Sequence, residues 1–292
     1  MTSFKKALLQ LHLFVFLAGL TGPIGNLIQL NGLNLVMYRM GLAALVMLII
    51  FAFSKNKVEI QQKTKWQVVG VGVLIAMHWV LFYTSIKFSN VSIGLVCLSS
   101  VSIFTLLLQP FFSNKKVQWL DFLIAFISLL GILFIFQFDI QYRKGIAVGL
   151  VSSFIAALFT QFNKKLTVNT PPQIIQTFQM IGGFTFLVFI VLLYSLISKT
   201  AIPLPTKMDW GWLIILALAC TVWSNYLMLS SLKYISAFTM NVTLNLEPVY
   251  GILLSFVIFQ EHKLLGMSFY FGFFLIAISV LIQMLRVIKT PK

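Results

Sequence analysis

Residues 174–197 read IIQTFQMIGGFTFLVFIVLLYSLI, with no charge, no proline and no strict alternation of polar and apolar side chains. At 1.5 Å per residue, about 20 such residues cross a hydrocarbon core of about 30 Å, so the stretch reads as a membrane helix. Working outward, the same signature recurs at approximately 7–28, 33–53, 66–86, 92–112, 120–138, 145–162, 210–232, 236–259 and 264–285. Ten spans are therefore predicted, and their connections are too short to hold a soluble domain. Composition agrees: 60% of the 292 residues are hydrophobic and 9% charged, against about 45–50% and about 25% in ordinary soluble domains. A lipid-facing barrel would instead show segments of about 10 residues alternating in polarity. Lys5 and Lys6 precede an apolar run too long for a signal-peptide core, which is expected to stay as the first span.

Charge sets the expected orientation. Of the 21 basic residues, fourteen fall on the side of the N-terminus (Lys5, Lys6, Lys55, Lys57, Lys63, Lys65, Lys115, Lys116, Lys164, Lys165, Lys233, Arg286, Lys289 and Lys292). Six fall opposite (Lys87, Arg143, Lys144, Lys199, Lys207 and Lys263), and Arg39 lies inside a span. That bias predicts cytoplasmic termini. The net charge of +15 thus marks topology and contact with anionic lipid, not a nucleic-acid partner, because no basic soluble region exists. Cys97 and Cys220 fall inside spans without metal-ligand spacing, and no cofactor is expected.

The spans also repeat. Trp66 and Trp79 are thirteen residues apart, as are Trp210 and Trp223, and Ser85-Ile86-Lys87-Phe88 matches Ser231-Leu232-Lys233-Tyr234 at an offset of 146. Tyr38-Arg39-Met40 aligns with Phe178-Gln179-Met180. Five spans per half is an odd number, so the second half must enter the membrane from the opposite face. The expected architecture is an all-α polytopic membrane protein of two inverted five-helix repeats, residues 1–144 and 145–292, the arrangement that supports alternating access to a site at mid-depth.

Further motifs carry a resemblance: MYRM (Met37 to Met40), FNKKL (Phe162 to Leu166), the SIKF and SLKY turns, and NLEPVYGILLSFVIFQE (Asn245 to Glu261). The chain resembles the EamA branch of the drug/metabolite transporter superfamily over nearly its whole length. The resemblance implies a multi-pass carrier of the inner or plasma membrane that exports amino acids or other metabolites. It also implies a central cavity lined by spans 3, 4, 8 and 9 with contributions from 1 and 6. The first repeat departs from the pattern, with Val101-Ser102 where Glu-Pro or Thr-Pro is expected and Lys115 in place of the acidic residue.

Candidate site residues follow from depth. Glu247 lies about eleven residues from either end of the ninth span, near the midplane, where a carboxylate costs about 2.5–3.5 kcal/mol and faces a cavity or a partner. It can bind a coupling proton or a substrate ammonium, or it can cap a helix break made by Pro248. Arg39 can pair with Glu247, clamp a substrate carboxylate, or snorkel outward. His78 is a possible proton relay or a hydrogen-bonded packing group. Asn241 and Asn245 stand at i, i+4 and so share one helical face, which Pro248 continues, while Glu247 points elsewhere by about 200°. With Trp79, Tyr83, Ser99, Trp223, Asn225, Tyr226 and Tyr250 they form a candidate substrate chamber, with Glu247, Arg39 and Pro248 as coupling or gating residues. The Gly22-Pro23 stretch is a possible gate or an early helix end.

No phosphate-binding glycine-rich loop occurs, so an ATP-driven pump is excluded. With six acidic residues, three histidines and no H-E-x-x-H motif, the chain is not expected to be an enzyme. The expectation is a secondary exporter of a small organic solute, possible coupling ions including the proton. The alternatives are a gradient-independent facilitator or exchanger and, further off, an intramembrane enzyme.

Overall fold

A computed structural model describes residues 3–53, 60–112, 118–138, 140–244 and 246–289. Asn245 and the basic residues Lys55, Lys57, Lys115, Lys116 and Lys292 lie outside the described residues. The described chain is helical throughout, without strands. Fourteen α-helices run in order: α1 Ser3–Gly19, α2 Thr21–Leu27, α3 Gly32–Phe53, α4 Gln62–Phe88, α5 Val91–Leu98, α6 Val101–Phe112, α7 Trp119–Phe138, α8 Arg143–Leu166, α9 Pro172–Ser198, α10 Lys207–Ala217, α11 Ser224–Leu232, α12 Ala237–Leu244, α13 Glu247–Phe259 and α14 Met267–Lys289. Eight segments are long and apolar enough to cross a membrane, and shorter apolar helices occur at Trp119–Phe134 and Met267–Ser279. The molecule is a polytopic helical membrane protein.

Several spans are broken, and the breaks position the site. α1 gives way to α2 at Leu20, which places Pro23 in the first turn of α2, where a missing N–H costs nothing. α5 ends and α6 begins around Ser99 and Ser100. α12 ends at Leu244 and α13 begins at Glu247, with Pro248 again in the first turn. α10 passes into α11 through a wide-turn π segment, Leu218–Trp223; such bulges free backbone carbonyls for side chains to use.

The offset of 146 found in the sequence reappears in the helix boundaries. Val91, Leu98 and Val101 correspond to Ala237, Leu244 and Glu247, the same three boundaries of the second broken span. Hydrogen bonds are also exchanged reciprocally. The Ser85 hydroxyl donates to the Gly145 carbonyl at the start of α8 (2.7 Å), and its counterpart Ser231 donates to the Ala7 carbonyl near the start of α1 (3.0 Å). Each half thus anchors the first helix of the other.

Close helix contacts use glycine where backbone must meet backbone. A Cβ at Gly72 would lie 2.2 Å from the Gln179 carbonyl oxygen, so only glycine lets α4 and α9 approach at that point. α7 and α14 pair with each other beside the bundle, joined by the Ser128 and Ser279 hydroxyls at 2.6 Å. One end of the bundle gathers the starts of α1 and α12 and the ends of α8 and α11, with Lys164 donating to the Leu232 carbonyl. The opposite end gathers the starts of α5, α8 and α10 and the ends of α2, α4 and α13.

Candidate functional site

A cavity of about 70 Å³ opens at the helix breaks, several times the roughly 10–15 Å³ that one water needs. It is lined from α1, α2, α3, α4, α5, α6, α8, the π segment, α11, α12 and α13, so both halves build it. These are the elements that the resemblance implies, with Arg39 of α3 added. From Thr21 and Arg39 it extends toward Met240 and Thr160, which lie near the start of α12 and the end of α8. It therefore leans toward the end of the bundle where α1 begins.

Arg39 and Glu247 are the charged side chains on its wall. Arg39 is 1% exposed and does not snorkel. Its Nε donates to the Thr221 hydroxyl (2.6 Å), Nη1 to the Tyr83 hydroxyl (2.8 Å) and Nη2 to the Cys220 carbonyl (2.9 Å). The guanidinium also sits 4.0 Å from the centre of the Trp79 ring, a cation–π contact. The Tyr83 hydroxyl in turn donates to the Thr21 carbonyl (3.2 Å). The π segment makes this possible: Thr221 donates to the Leu216 carbonyl at i−5 (2.7 Å), while Gln176 donates to the freed Thr221 and Val222 carbonyls (3.3 and 2.7 Å).

Glu247 is 5% exposed and opens α13. Its position in the first turn sets a carboxylate against the positive end of the helix dipole. Glu247 was expected to point away from the face of Asn241; in the structure both line the cavity. Asn241 Nδ2 donates to the Thr105 hydroxyl (2.7 Å). Arg39 and Glu247 share the cavity, and the hydrogen bonds of Arg39 go to Thr221, Tyr83 and Cys220 instead.

His78 also lines the cavity, with Nδ1 at 3.0 Å from the Ser152 carbonyl and 2.8 Å from the Ser152 hydroxyl, which itself donates to the His78 carbonyl (2.8 Å). This bonding assigns the proton to Nδ1 and leaves Nε2 the basic nitrogen. Asn225, 9% exposed, lines the cavity, and its Nδ2 has no hydrogen-bond partner among the described residues. A buried amide donor without an acceptor is costly unless a ligand or water supplies one.

Of the predicted chamber, His78, Trp79, Asn225, Asn241, Glu247 and Arg39 meet at the cavity wall. Tyr83 stands behind Arg39 as a hydrogen-bond partner. Ser99 is buried at the α5/α6 break without a partner, Pro248 is buried beside Glu247, and Tyr250 packs edge-on against Phe16; none of the three lines the cavity. Trp223 (53% exposed) and Tyr226 (37% exposed) face away from it. Asn245 lies outside the described residues. Sequence reasoning did not find Thr221, Ser152 or the π segment. Only the adjacent serines Ser152-Ser153 in an apolar span signalled a polar contact.

The sequence profile of the EamA-like transporter family matches residues 5–137 and again residues 143–285. The chain belongs to the EamA-like transporter family. The two matches fall on either side of the short connection before α8. A similar protein, named uncharacterized transporter sll1164, from Synechocystis sp., is 22% identical and aligns over 92% of this chain and 82% of its own length. A solved crystal structure, described only as that of a protein, superposes over 99% of both chains with a TM-score of 0.71 at 14% identity, a likeness of fold. As an EamA-like transporter, the chain acts on a small-molecule solute from within the lipid bilayer.

Proposed function

We propose that this transporter is a secondary carrier of the cell (inner) membrane that exports amino acids or similar small zwitterionic metabolites. Ten spans divide into inverted halves, residues 1–144 and 145–292, which rock against each other with both termini in the cytoplasm. The observation that carries the reading is a cavity shared by the halves, in which a guanidinium, a carboxylate and an amide unpartnered among the described residues converge. Glu247 takes the substrate ammonium or the coupling proton, Asn225 donates to a substrate carboxylate, and the Arg39 cation favours that carboxylate nearby. Asn241, His78 and Trp79 complete the wall, and Asn245, four residues beyond Asn241 in sequence, is a further candidate substrate contact. A volume of about 70 Å³ favours a small zwitterion over a nucleoside. The lean of the cavity toward the end carrying the N-terminus suits loading from the cytoplasm.

The test is counterflow in proteoliposomes preloaded with an amino-acid mixture, read with labelled amino acids one at a time. Uptake of at least one, with acidification driving accumulation in wild type and not in Glu247→Gln, is expected. Absence of counterflow with every amino acid would overturn the substrate class. Unchanged proton-driven accumulation in Glu247→Gln would remove the coupling role.

A further inference from the structure

We infer that Glu261 is the latch that holds the carrier shut at its outer end. This inference rests on the alternating-access reading above. α13 ends at Gln260, whose left-handed backbone (φ 55°) turns the chain sharply. The next residue, Glu261, is 3% exposed although it lies at a span end. Its Oε1 accepts from the Val91 N–H (3.0 Å), and Oε2 accepts from the Ser92 N–H (2.9 Å) and the Ser92 hydroxyl (2.5 Å). A carboxylate from the second half is therefore seated on the N-terminus of α5 in the first half. The charge, the short bonds and the helix dipole all favour the closed contact.

The seam beneath this contact is closed by direct packing. A Cβ at Gly251 of α13 would lie 2.3 Å from Leu95 Cδ1 on α5 and 2.8 Å from the Gly19 carbonyl. α5, α13 and the α1/α2 junction thus meet without a gap between the cavity and the Glu261 end.

The matching place in the other half is different. The offset of 146 carries α5 onto α12, Asn90 onto Ser236, and Glu261 onto Lys115. Asn90 and Ser236 both cap their helices, through Ile93 N–H to Asn90 Oδ1 (2.8 Å) and Thr239 N–H to Ser236 Oγ (3.0 Å). In sequence a lysine, Lys115, stands where α5 has its glutamate. At the equivalent sequence position the sign of the charge is reversed. An equilibrium between two nearly mirror-image states is then biased toward the one closed outside and open inside, the state in which an exporter collects its cargo.

The test uses Cys220, which lines the cavity, in a Cys97→Ser background, labelled with a small membrane-impermeant thiol reagent from each face of oriented vesicles. In the parent, Cys220 should label faster from one face, the one that carries the termini. Glu261→Gln sets an N–H against the donors of α5 and should raise the rate from the opposite face roughly 10- to 100-fold. Ser92→Ala removes one bond of three and should raise it less, roughly 3- to 10-fold. Ser92→Ala keeps the carboxylate on both backbone donors, so it reports even if Glu261→Gln does not fold. No gain at the opposite face in folded variants, or an equal gain at both faces, overturns the latch. A parent that labels faster from the face without the termini, which is the Glu261 end, would also overturn the latch.

Discussion

Arg39→Lys keeps the charge in the cavity and removes the fork that holds it. The guanidinium makes three hydrogen bonds in three directions, to Thr221, Tyr83 and Cys220, at 2.6–2.9 Å; a lysine ammonium on its flexible stem satisfies one of those sites at a time. Two charge-assisted bonds are lost, each worth about 1.5–3 kcal/mol when made to a charged group. Part of the loss is recovered, because Tyr83 still donates to Thr21 and Thr221 still donates to Leu216, and a lysine can retain a cation–π contact with Trp79. The expected net cost is about 3 kcal/mol of stability. Reversible unfolding in mixed micelles, followed by a signal from the aromatic residues, measures it. Because the charge persists, the pH profile of counterflow should stay close to that of the parent while stability falls. A variant within about 0.5 kcal/mol of the parent would refute the claim that this network ties α3 to α4 and the π segment. A large change in pH profile with unchanged stability would make Arg39 a direct participant in coupling instead.

Gly72→Ala and Gly70→Ala form a matched pair on α4: the first sets a methyl 2.2 Å from the Gln179 carbonyl oxygen, while the second meets nothing within 4 Å. Gly72→Ala should lose about 2–3 kcal/mol in the same unfolding assay, and Gly70→Ala should stay within about 0.5 kcal/mol; equal effects would deny the close α4/α9 approach. Asn225→Ala removes the unpartnered cavity donor and should raise the half-saturating solute concentration about tenfold, equivalent to about 1.4 kcal/mol, with little loss of stability; unchanged affinity in counterflow would take Asn225 out of the site.

The architecture was legible because bilayer thickness is a length that sequence must match. The repeat was legible because Ser85 and Ser231 do the same work in opposite halves, each bonding the first helix of the other. Depth counting also placed Glu247, Arg39 and His78, since a polar group in hydrocarbon has few places to go. Direction was the harder quantity. A residue's bearing around a span follows from 100° steps only while the helix is continuous, and this protein interrupts its helices at the depths where function is expected. The interruption between Leu244 and Glu247 brings Asn241 and Glu247 onto one wall. The π segment draws Thr221 and the Cys220 carbonyl to Arg39, while Trp223, its last residue, faces away from the cavity. Tryptophan spacing thus does not mark the cavity, because equivalent positions in two halves need not keep equivalent bearings once one half carries an extra residue in its turn. Glu261 was visible from the sequence as a charge just beyond a span, but its partner lies 170 residues away in the chain. Only the packing of α5 against α13 turns that charge from a solvated end group into a bond between the halves.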